Sequence, residues 1–130
     1  MSEIKVTFGL HKLVRDKLPA MMREMGQEPE VVTLEGEELQ QALIAKVGEE
    51  LAELDPNALS YQKELADLLQ AVKDLIAVSG DEAKVEELRQ ADVQKRGGFL
   101  AGQYIASLHL AADDKWVAYY RREPNKYPEL

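Results

Sequence analysis

Cysteine is absent from the 130 residues, histidine occurs only twice, and aromatic side chains are scarce, at two Phe, five Tyr and one Trp. Without cysteine there is no disulfide scaffold and no thiolate-ligated zinc. No run approaches the roughly 18 uninterrupted apolar residues of a membrane span, and Met1-Ser2-Glu3-Ile4-Lys5 lacks the basic-then-apolar plan of a secretion signal. A cytoplasmic chain with no membrane partner is expected. Basic charge is also short: 16 Lys and Arg stand against 24 Asp and Glu, for a net charge of −8. That balance repels long nucleic acids.

What is present is 45% hydrophobic residues in a chain long enough to remove about two-thirds of its surface from water. One domain spanning residues 1–130 is expected. The acidity is concentrated in the middle, where residues 35–92 carry fifteen acids and five bases, between a neutral start and a mildly basic end. Such a stretch is either a solvated helical surface or a cation site.

Hydrophobic spacing assigns most of the chain to helices. Asp16 can cap a helix starting at Lys17, with Pro19 in its first turn and Gly26 at its end. Glu28–Leu34 is β-branched and bounded by Pro29 and Gly36, which predicts a short edge strand. Leu39, Leu43, Val47, Leu51 and Leu54 mark a helix over 37–54, and Tyr61, Leu65, Leu68, Leu69, Val72, Leu75 and Ile76 mark a second over 58–78. Asp55-Pro56-Asn57 between them is short enough for an antiparallel hairpin. Asp81 can cap a third helix reaching Lys95, and a last one is expected over 113–122, docked by Trp116, Tyr119 and Tyr120. The reading is all-α: an antiparallel hairpin extended to a four- or five-helix bundle. Its broad apolar stripes predict completion by oligomerisation, as a homodimer or homotetramer.

Chemistry is suggested by carboxylates in the wrong place. On a helical wheel Glu50 falls between Leu39 and Leu43, inside the apolar arc, where a lone charge costs several kcal/mol. Glu53 lies at i+3 on the edge of that arc, and Glu49 sits beside it towards solvent. The second helix repeats the arrangement with Glu64 and Asp67. Each pair alone is common on a solvated helix, but two pairs bordering the seam of one hairpin can converge on a hard cation, Mg²⁺ or Mn²⁺. Lys12, Arg15, Lys17, Lys46, Lys95 and Arg96 are the cations that a phosphate ligand would meet, and Gly97-Gly98 admits close backbone approach. His11 and His109 have no partner at ligand spacing and read as structural or exposed.

These acidic stretches, Glu49-Glu50-Leu51-Ala52-Glu53 and Glu64-Leu65-Ala66-Asp67, resemble the E-E-x-x-E and E-x-x-D motifs of the all-α nucleoside triphosphate pyrophosphohydrolases, the MazG-like and phosphoribosyl-ATP pyrophosphohydrolase-like group. His11 to Pro19 and Lys95 to Phe99 are similar to further stretches in one of its subgroups. Only ten residues separate Glu53 from Glu64, fewer than is usual in that group. The resemblance implies Mg²⁺-dependent cleavage of a nucleoside triphosphate to a monophosphate and pyrophosphate, with a part in cleaning the nucleotide pool. It makes Glu50, Glu53, Glu64 and Asp67 the metal ligands. Glu49 is then the candidate general base, and Arg15, Lys17, Lys46, Lys95 and Arg96 are the candidate substrate contacts. Phosphoribosyl-ATP hydrolysis is the nearest alternative. A non-catalytic helical interaction module, indifferent to Mg²⁺, is the alternative of another class.

Overall fold

The computed structural model describes residues 4–130, which form five helices and, among those described, no strand. They are α1 (Leu18–Glu24), α2 (Gly36–Ala52), α3 (Tyr61–Val78), α4 (Glu82–Arg96) and α5 (Trp116–Arg121). The all-α expectation holds. The chain divides into two compact units, Met1–Gln94 and Lys95–Leu130.

Each boundary has a local cause. α1 starts one residue later than expected because Leu18 N–H is already satisfied by Arg15 C=O in a backbone turn, which leaves Asp16 without a capping role. Pro19 sits in the first turn, where its missing N–H costs nothing, and Gly26 ends the helix at φ 79°. Turns closed at Ala58 and Tyr61 occupy residues 55–60, so α3 begins at Tyr61 and not at Ala58. Asp81 caps α4 as expected, its Oδ1 accepting Lys84 N–H at 2.9 Å. Over Glu28–Leu34, where an edge strand was expected, the described residues form no strand; Lys5 Nζ pairs with Glu28 at 2.7 Å.

In the first unit helix packs on helix only where α2 meets α3. Gln40 Nε2 donates to Val78 C=O at 2.8 Å, supplying a carbonyl left open at the end of α3 and fixing the pair as antiparallel. With equal rise in both helices, that register brings Glu50 level with Leu68. Leu43 and Ala71 are the buried apolar residues of the seam, with Leu39, Val47, Leu68 and Leu75 half-buried around them. The expected extension of this hairpin to a bundle is not made by α1 or α4. Their apolar positions are too few: Met21 and Met25 of the first segment, and Leu88 and Val93 of the second, remain exposed. α4 is sustained instead by its cap and by pairs along its own surface, such as Arg89 on Glu86 at 2.6 Å.

The hairpin has two unlike sides. Residues 12–15 lie along one of them, since Lys12 reaches Glu49 and Arg15 reaches Asp67. On the wheel Ile44 and Leu51 of α2, and Leu65 and Leu69 of α3, fall on the opposite flank of the seam, and all four are exposed. His11, immediately before the basic segment, takes the left-handed conformation at φ 46°. Its imidazole folds over Gly9, where an added Cβ would come within 2.9 Å of the ring.

In the second unit Tyr119 and Tyr120 stack edge-on against each other at 5.2 Å, and Tyr120 against Tyr127 at 5.0 Å. Tyr119 and Tyr120 of α5 thus contact Tyr127 of the C-terminal segment, while Trp116, stacked edge-on against Tyr119, stays about half exposed. α5 begins at Trp116 and not at 113 because Asp114 Oδ1 takes Trp116 N–H in a side-chain turn.

Candidate acidic site on the hairpin

Glu50 is 7% exposed, the buried carboxylate that the wheel called for. Its neighbour one turn back supplies the counter-charge: Lys46 Nζ lies 3.2 Å from Glu50 Oε1 and 3.2 Å from Glu49 Oε1. Burial depresses the Lys46 ammonium, but hydrogen bonds to Glu50 and Glu49 outweigh it and hold its pKa above the usual lysine value. Lys46 therefore stays charged and bridges the two glutamates. Lys12 adds a longer contact to Glu49, at 3.6 Å.

Across the seam, Glu64 lies half-buried in the first turn of α3 and accepts Ser60 Oγ–H at 2.9 Å. Asp67, one turn on, receives Lys63 from its own helix and Arg15 Nη2 at 2.7 Å from the N-terminal segment. The Lys63 hydrogen bond, aided by Arg15 against some desolvation, keeps the Asp67 carboxyl below its ordinary pKa. Lys63 was missed in the sequence, although its i, i+4 spacing to Asp67 is a helix-surface signal. Glu53 is exposed at the C-terminal cap of α2.

The sequence-derived residues thus separate into groups. Glu49, Glu50, Asp67, Arg15 and Lys46 share ion pairs along the seam, joined by Lys12 and Lys63. Lys17 is drawn off as the exposed N-cap of α1. Lys95 and Arg96 close α4 in the second unit.

Two oxygens remain: Glu50 Oε2 and Glu64 Oε2 are buried and have no hydrogen-bond partner. An ionised oxygen in that condition costs free energy until a cation or a proton reaches it. Hard carboxylate oxygens suit Mg²⁺ or Mn²⁺, so the donor chemistry fits. The geometry is less advanced: among the described residues no three acidic or histidine side chains are gathered as an ion-holding group. Lysine and arginine nitrogens meet Glu49, Glu50 and Asp67 in their place. Comparison of the chain with family models, curated proteins and solved structures finds no match.

Proposed function

We propose that the chain is a Mg²⁺-dependent nucleoside triphosphate pyrophosphohydrolase, cleaving between the α and β phosphates to give a monophosphate and pyrophosphate. The observation that carries this reading is the pair of buried, unsatisfied oxygens, Glu50 Oε2 and Glu64 Oε2, on facing helices. Glu50, Glu53, Glu64 and Asp67 would hold the metal. When bound, a divalent ion supplies neutralisation of the charge that builds on the phosphates.

The chain's own groups do the rest. Arg15 and Lys46 exchange carboxylate partners for phosphate oxygens, Arg15 with a planar fork suited to two of them. Glu49 accepts a proton from water as the water oxygen bonds to phosphorus; the bond to the bridging oxygen breaks, and pyrophosphate leaves. The test is pyrophosphate release from a nucleotide panel and from phosphoribosyl-ATP, with and without Mg²⁺. Mg²⁺-dependent release from nucleoside triphosphates is expected. A clear preference for phosphoribosyl-ATP assigns the second substrate, and inactivity on every compound overturns the proposal.

One observation favours a non-catalytic reading. Glu49, Glu50 and Asp67 each already face a lysine or arginine of the same chain, so the acids also serve to hold residues 12–15 on the hairpin. A module of that kind binds no Mg²⁺. Calorimetric titration of Mg²⁺ into wild type and Glu50→Gln separates the two: heat in wild type that is lost in the variant supports the hydrolase.

A further inference from the structure

Serine is favoured just before a helix because its hydroxyl oxygen accepts a backbone N–H of the first turn. Ser60 holds that position ahead of α3, yet its side chain makes no capping hydrogen bond. Its backbone, at φ −85° and ψ 5°, lies outside the extended region typical of a cap. The spacing in the sequence agrees. A capping box sets a Glu or Gln three residues after the serine; here that place belongs to Lys63, and Glu64 comes one residue later.

The hydroxyl goes to Glu64 instead. Ser60 Oγ donates to Glu64 Oε1 at 2.9 Å, while Ser60 C=O accepts Glu64 N–H at 3.0 Å. A carboxyl group turns easily about its last bond, and a donor fixed on one oxygen removes that freedom. With Oε1 taken, Oε2 is the atom left buried and without a partner.

The other helix divides its glutamate in the same way with a different donor. Lys46 Nζ lies 3.2 Å from Glu50 Oε1, and Glu50 Oε2 is the buried oxygen without a partner. Both donors stand four residues before their glutamate, one turn towards the N-terminus, where helical side chains lean. Two helices thus use one geometry. In each, the outer donor claims one oxygen and leaves its twin in the seam.

We infer that Ser60 is a positioning residue of the acidic site: its hydroxyl, diverted from helix capping, holds Glu64 so that Oε2 is left for a divalent cation, as Lys46 does for Glu50. The inference rests on the reading of those two oxygens as metal ligands. It adds to that reading a residue that acts on the cation only through Glu64, in the manner of the outer hydrogen bonds that orient ligating carboxylates.

Calorimetric titration of Mg²⁺ into the full chain tests it. Ser60→Ala should bind about 10-fold more weakly than wild type, the scale on which such outer partners act. Ser60→Thr, which keeps the hydroxyl, should restore the affinity. The urea midpoint of Ser60→Ala should stay close to that of wild type, because no cap is lost. If the alanine variant fails to fold, Ser60→Gly removes the hydroxyl at a position where glycine is nearly as good as serine, and the same weakening is expected. Equal Mg²⁺ affinity in wild type and the hydroxyl-free variant overturns the inference and leaves the hydrolase reading standing. A midpoint that falls while affinity holds identifies an ordinary helix cap and overturns it as well, as does a weakening that threonine does not restore. Failure of wild type itself to bind Mg²⁺ removes the metal reading, and the inference with it.

Discussion

The two sides of the α2–α3 hairpin are built from the same pair of helices yet are held by different physics. On one, Lys12, Arg15, Lys46 and Lys63 neutralise Glu49, Glu50 and Asp67 within the chain. On the other, Ile44, Leu51, Leu65 and Leu69 are exposed. The difference teaches where each need is met. Ionic partners come from a few residues of the same polypeptide, whereas the leucines and the isoleucine of the other side stay exposed. The acidic side should therefore answer to pH, salt and divalent ions.

The largest effect expected on the acidic side comes from Glu50. Glu50→Gln should lower Mg²⁺-dependent pyrophosphate release by more than the roughly 10–100-fold typical of residues that merely orient ligands. Glu50→Leu should lose activity equally and should also lower the urea midpoint, because it leaves the part-buried Lys46 ammonium with one carboxylate partner fewer. Leu43→Ala, in the seam shared by both sides, should cost about 2–5 kcal/mol, read as a lower urea midpoint at fixed protein concentration.

Smaller changes sharpen the contrast. Arg15→Ala should cost less than about 1 kcal/mol, since Arg15 is largely exposed, and the loss should shrink as salt rises. For pH, Asp67 is lowered from 3.8 in the folded chain. Its contribution is present above that value and is lost as pH falls through the folded pKa, so Asp67→Asn should flatten the acid limb of urea midpoints below about pH 4. Lys46 is raised from 10.5, so its contribution is lost only as pH rises through the folded pKa above that value.

Much of the hairpin was legible because its signals are local. The wheel position of Glu50 foretold its burial, and Asp81 before a helical run foretold a cap. What escaped depends on partners that a sequence does not name. The β-branched run Val31-Val32-Thr33 suits a strand, but a strand exists only where another backbone pairs with it. The thin stripe of α4 read as a surface helix, yet only the fold shows that it packs on no other helix of its unit. At the acidic site, residue types and spacing pointed to the seam, while Lys63 and the reach of Lys12 and Arg15 over Glu49 and Asp67 needed three-dimensional proximity.

The turn at His11 carries a consequence for variation. A residue at φ 46° disfavours β-branched side chains and favours glycine, asparagine, aspartate or histidine. Drift at position 11 is thus confined to a narrow alphabet, although the residue is exposed. A tolerance map of the chain would show a single point of intolerance among exposed neighbours.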